Sequence, residues 1–196
     1  MPQPLLRGQR YEFEPRSLEK RPALAAHIGS IAASWTYVEQ LSGFLLANLI
    51  GGNASAAIEM YLALTSTVAQ REALKAAAKA RLSAALYEEF LICMNNTRRF
   101  ASDRHTIVHG WWGICLDNEH VLVLRDPRLA IRFIAQYPFN SELTEPEAEA
   151  LWSRRPPLLG YSAKDFIFIL TRIINLESET RLIYDKISSY LREVQR

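Results

Sequence analysis

Residues 22–50, PALAAHIGSIAASWTYVEQLSGFLLANLI, decide the fold. Leu24, Ile28, Ile31, Trp35, Val38, Leu45 and Leu49 recur at helical steps through them, the spacing that aligns apolar side chains on one face of an α-helix. Pro22 suits a first helical turn, where its missing N–H has no partner to lose, and Gly51 and Gly52 can take the left-handed geometry that ends a helix. A long amphipathic helix with both boundaries explained follows. Working outward, Asn53 caps a shorter second helix. Thr67 with Gln70 fits a capping box opening a third, whose alanine-rich body over 75–85 has high intrinsic helix propensity. Helical pattern continues, with a break near Ser83, to about Val108. A last strong helix starts at Ser162 with Asp165 in the capping-box position, and Phe166, Ile169, Ile173, Leu176, Ile183, Ile187, Tyr190 and Val194 form its stripe.

Between these helices the texture changes. After Gly110, residues 111–116 and 121–124 are aromatic and aliphatic, and Asp117, Asn118 and Glu119 supply turn chemistry, so a β-hairpin is expected. Residues 132–139 suit a third strand, confined to an edge by Pro138. Thr144 with Glu147 is another capping box, opening a short helix to about Trp152. The expected fold class is mainly α: a helical bundle of about five helices with an inserted β-hairpin. One domain spans 1–196, with 1–21 as an N-terminal extension and 111–139 as the hairpin insertion.

Composition bounds the function. Of 196 residues, 23 are Lys or Arg and 21 are Asp or Glu, a net charge of +2, and 49% are hydrophobic. Disordered, collagen-like and disulfide-scaffold classes do not fit that profile. Cys93 and Cys115 make no C-x-x-C or finger spacing, which points to a reducing compartment, the cytoplasm. No apolar run approaches the roughly 18 to 20 residues of a membrane span, so no membrane association is expected. Residues 1–15 lack the apolar stretch of a signal peptide. Without a Lys/Arg block, any nucleic-acid function must come from a local site.

That site lies on residues 90–109. On a helical wheel, Phe90, Cys93, Met94, Thr97, Phe100, Ala101, Ile107 and Val108 share a mostly apolar arc, with Arg104 near its middle. A buried unpaired charge costs several kcal/mol, so Arg104 must meet a partner or an interface; a structural salt bridge to Glu39 or Asp103 is one reading. Beside the arc, Asn95, Arg98, Ser102, His105 and His109 form a polar stripe at steps of three and four. The i, i+4 histidines allow a metal pair, but H-x-x-x-H without an interior glutamate or a third ligand is poor zinc chemistry, and neither a metal nor another cofactor is expected. His27 reads as a half-buried structural residue and His120 as an exposed turn residue. Trp111 and Trp112 suit either core anchors or base stacking.

The string Ser-Asp-Arg-His-Thr-Ile-Val-His-Gly, Ser102 to Gly110, resembles the motif of the HEPN superfamily: arginine, a polar residue, three more residues, then histidine near a helix end. Arg104, His105 and His109 fill those places. The helix order is similar to that family's bundles, which carry the motif on a late helix, and Trp35-x-x-x-Glu39 is similar to some phage and bacterial members. The likeness covers residues 22–110 and the final helix; the hairpin and residues 126–160 have no counterpart in it.

The resemblance implies metal-independent RNA cleavage, an activity of HEPN toxins and phage-defence ribonucleases. Attack by a ribose 2′-hydroxyl needs a proton acceptor, the leaving 5′-oxygen needs a proton, and the crowded phosphorus needs positive charge. Histidine titrates near neutrality and arginine binds phosphate through a planar fork. His109 is the expected proton-transfer group and Arg104 the phosphate binder; His105 positions them, Glu39 holds Arg104, and Arg98 and Ser102 support. Arg104 and His109 lie about 140° apart on an ideal wheel, so one straight helix converges them poorly. The resemblance implies a homodimer with a composite cleft, and RNA or nucleotide, an antitoxin or a regulatory protein as further partners. The alternative is a non-catalytic HEPN-like module that binds nucleotide, RNA or protein through the same stripe, and a third class is a structural phage protein.

Overall fold

The computed structural model describes residues 2–5, 8–135, 144, 146 and 156–194. Among them the protein is mainly helical with a small antiparallel sheet. The helices are α1 (Pro22–Ile50), α2 (Ala54–Ala63), α3 (Thr67–Arg81), α4 (Ala84–His109), α5 (Pro127–Ile134) and α6 (Ala163–Val194). The strands are β1 (Gln3–Pro4), β2 (Tyr11–Glu12), β3 (Trp111–Cys115), β4 (Val121–Arg125) and β5 (Leu159–Ser162). No helix among the described residues is long and apolar enough to cross a membrane.

Local chemistry sets the boundaries. α1 has the expected limits, and Gly51 and Gly52 stop it with φ of 72° and 68°, a region that strains any residue with a side chain. Asn53 Oδ1 accepts from the Ala56 N–H at 3.1 Å, capping α2. The cap of α3 falls one residue earlier than the capping box suggested: Ser66 is still extended, and its hydroxyl accepts from Ala69 N–H. At the break before α4, Ser83 Oγ accepts from Leu86 N–H. At the start of α6 the Asp165 carboxylate takes both the Ser162 N–H, at 2.9 Å, and its hydroxyl, at 2.7 Å.

The chain forms two compact units. The first to consider is helical, comprising Ile31–Ser102 and Leu170–Arg196. Leu45, Leu49, Phe90, Met94, Ile183 and Ile187 are buried together in its core. The stripe of α6 drifts at its end, where Leu191 is buried and Val194 is 65% exposed. Thr180 sits inside the stripe at no solvent cost because its hydroxyl donates to the Leu176 carbonyl at 2.7 Å. Both cysteines are buried and unpaired, and burial pushes the Cys93 thiol up, away from the nucleophilic thiolate.

The second unit, Met1–Ser30 and Asp103–Ile169, holds the sheet, in the order β1-β5-β4-β3-β2, with every pairing antiparallel. The expected hairpin is present as β3 and β4, with Trp111 opposite Arg125 and Ile114 opposite Leu122. Alternation sends Trp112, Ile114, Leu122, Leu124 and Tyr161 to one face and Cys115 and Val123 to the other, where Leu5, Tyr11 and Phe13 cover them. Burial on both faces explains the unbroken apolar strings. Residues 1–21, read as an extension, supply both β1 and β2; two-residue strands leave no periodicity to detect. Arg10 fastens β2 to the hairpin turn through three bonds to Asp117.

The third strand expected over 132–139 is not formed across its described part. Residues 127–134 are α5 instead, because Asp126 accepts from the N–H groups of Arg128 and Leu129, at 2.8 and 3.2 Å, and Pro127 occupies the first turn. Residues 136–139 and the short helix expected from Thr144 to Trp152 lie outside the described residues, apart from 144 and 146.

Candidate functional site

The end of α4 is built as the spacing predicts. Phe90, Cys93, Met94 and Ile107 are buried, whereas Asn95, Arg98, Ser102, His105 and His109 are all exposed. The last carbonyls of a helix lack intrahelical partners, and here the Trp112 indole N–H donates to the Ile107 carbonyl at 2.9 Å. Trp112 is itself held by Tyr161 and Phe166, with ring centroids 5.2 and 5.6 Å away. The helical turn carrying both histidines is therefore tied to the sheet.

On that turn the His105 and His109 rings are 4.7 Å apart and tilted by 48°, as i, i+4 neighbours on one face must be. A third group joins them from α5: Arg128 Nη2 lies 3.1 Å from His105 Nε2. A guanidinium only donates, so this contact assigns His105 an Nε2 lone pair and an Nδ1–H, the neutral imidazole. Electrostatics agree: partial desolvation, then the neighbouring His109, Arg128 and Arg104, hold the His105 pKa below its usual value, with Asp126 opposing.

Arg104 is half-buried, and its Nε is enclosed without a hydrogen-bond partner among the described residues. This is the anomaly its place in the apolar arc announced. Glu39 accepts from the Trp35 indole N–H at 2.7 Å, closing the Trp35-x-x-x-Glu39 pattern into a side-chain pair one turn apart. Glu39, Arg98 and Ser102 belong to the helical unit, and Arg104, His105, His109 and Arg128 to the sheet unit. Arg128 was not among the residues the sequence singled out. Its signal is the Asp126-Pro127 cap, which starts a helix directly after a strand; the β-branched and aromatic character of Ile131, Phe133 and Ile134 masked it.

The remaining histidines are structural or solvated. His27 is half-buried and stacks on Phe166 at 5.9 Å, and His120 is exposed in the hairpin turn. Among the described residues no three His, Cys, Asp or Glu side chains converge as metal ligands. The two tryptophans divide: Trp112 is 6% exposed and anchors the core, whereas Trp111 is 44% exposed. No family model matches this chain, and no curated protein or solved structure matches it.

Proposed function

We propose that the protein is an HEPN-like, metal-independent endoribonuclease of the cytoplasm, acting as a homodimer in toxin or phage-defence chemistry. The observation that carries this reading is the exposed pair of imidazoles at the end of α4 with Arg128 bonded to one of them. One proton-transfer imidazole from each copy of the chain, together with the guanidiniums of Arg104 and Arg128, supplies what transesterification of RNA requires. His105 Nε2 is engaged by Arg128, so His105 is the positioning residue and the exposed His109 transfers the proton. A ribose 2′-hydroxyl loses its proton to an imidazole as O2′ bonds to phosphorus. The P–O5′ bond breaks, and an imidazolium returns a proton to the 5′-oxygen. The products are a 2′,3′-cyclic phosphate and a 5′-hydroxyl. Arg104 and Arg128 offset the negative charge on the phosphoryl oxygens. A second motif from a two-fold partner supplies the opposite side of the in-line displacement, which one helix turn cannot reach.

The test is incubation of the purified protein with single-stranded RNA in EDTA. Cleavage that persists and leaves cyclic phosphate ends supports the reading. Activity lost on chelation and restored by zinc or manganese would assign the histidine pair to a metal. Binding of RNA with no cleavage under any condition would leave the non-catalytic module.

A further inference from the structure

Trp111 is an exposed aromatic residue of the sheet unit. It opens β3 two residues after His109, and across the hairpin it stands opposite Arg125, the last residue of β4. The pairing register places both chain segments of the site at this end of the hairpin: His109 just precedes Trp111, and Arg128 follows Arg125 by three residues. Two residues of extended chain span at most about 7 Å, so the Cα atoms of His109 and Trp111 lie within that distance of each other.

The stack behind the indole is built. Arg125 Cζ lies 4.3 Å from the centroid of the Phe13 ring and 5.2 Å from that of Trp111, and the Phe13 and Trp111 rings are 5.5 Å apart. Trp111 is thus held on one side by a cation and a ring while 44% of it meets solvent. An ordered, partly open indole beside a guanidinium is the arrangement on which nucleobases of single strands stack, with the cation close to the backbone phosphates. Its ordering in advance lowers the entropic cost of binding.

We infer that Trp111, backed by Arg125 and Phe13, is a stacking platform for an unpaired nucleobase of an RNA strand bound at this end of the sheet unit. The assignment rests on the ribonuclease reading and adds the substrate requirement: an unpaired base in the bound strand, engaged by its π-face and therefore without strong base identity.

The experiment measures fluorescence anisotropy of two short labelled 2′-O-methyl oligonucleotides, which cannot be cleaved: one carries its bases, and the other has the same backbone with abasic sites. The full-length wild-type protein should bind the base-bearing strand on the order of 10-fold more tightly, the scale of one stacked base. Trp111→Ala should remove that preference without changing affinity for the abasic strand, and Trp111→Phe should keep most of it. Equal wild-type affinity for the two strands overturns the platform even if the alanine variant fails to fold. A preference unchanged in folded Trp111→Ala also overturns it, while the ribonuclease reading stands. Binding of neither strand overturns the platform together with that reading.

Discussion

Arg128 is one of the groups that set the state of His105. In the unfolded chain this histidine titrates near 6.5; in the fold, partial desolvation and the surrounding cations hold it lower. Below 6.5 the unfolded chain therefore binds more protons than the folded one, so stability falls as pH drops toward the folded pKa and the effect vanishes above 6.5. Arg128→Met removes a cation and the hydrogen-bond donor, so the His105 titration followed by proton NMR should move up toward 6.5. An unmoved titration would show that Arg128 does not reach the ring in solution. His109→Ala should lower RNA cleavage by roughly 100-fold, the usual scale of acid or base catalysis. Its melting temperature should hold, because the side chain is exposed at a helix end. His105→Ala should instead shift the pH-rate profile, as expected for a positioning group. Arg104 was conspicuous in the residue order because a charge broke an apolar arc. Arg128 was not, because its role depends on where a different helix lands.

Two secondary-structure devices frame the site, and each has a measurable weight. Asp126 caps α5 through two backbone N–H groups; Asp126→Ala should cost about 1 kcal/mol in urea denaturation, the usual worth of an N-cap. Gly113 lets β2 close on β3. A Cβ there would stand 2.4 Å from the Glu12 carbonyl oxygen, a backbone atom that cannot swing aside. Gly113→Ala should destabilise by roughly 1–3 kcal/mol, the cost of overpacking, and unaltered stability would mean that β2 detaches freely. The long helices were readable from spacing and caps, since i, i+3 and i, i+4 patterns over 29 or 32 residues average out local noise. The region after the hairpin forms α5 against its strand-like composition, because a two-residue cap outweighs the β-propensity of the segment it starts.

Assembly is the property on which the proposed chemistry depends most. Arg104 and His109 converge poorly on one ideal helix, so the composite site we propose calls for a second copy. Light scattering at micromolar concentration should report about 45 kDa, twice the 22.4 kDa chain. A monomer throughout that range would remove the partner that the in-line displacement needs. Arg104→Ala should be checked for mass and melting temperature before its activity is interpreted, because the change leaves a gap in the apolar arc as well as removing a charge.

Residue order alone specified α1, α2, α3, α4, α6 and the β3–β4 hairpin, together with the exposed stripe ending in His105 and His109. These features depend on interactions within a few residues, in helix faces, caps and a tight turn, so their information is local. Tertiary structure decided the rest. Strands of two residues exist only because distant chain segments offer matching edges: Tyr11 meets Cys115, and Gln3 meets Gly160. The bond from Arg128 to His105 joins residues 23 positions apart on separate helices. Trp111 and Trp112 are chemically identical neighbours, and only the pleat of the strand, with Tyr161 and Phe166 packed on one face, buries the second and leaves the first in water. Such contacts are set by register and packing across the sheet, which no stretch of the chain encodes by itself.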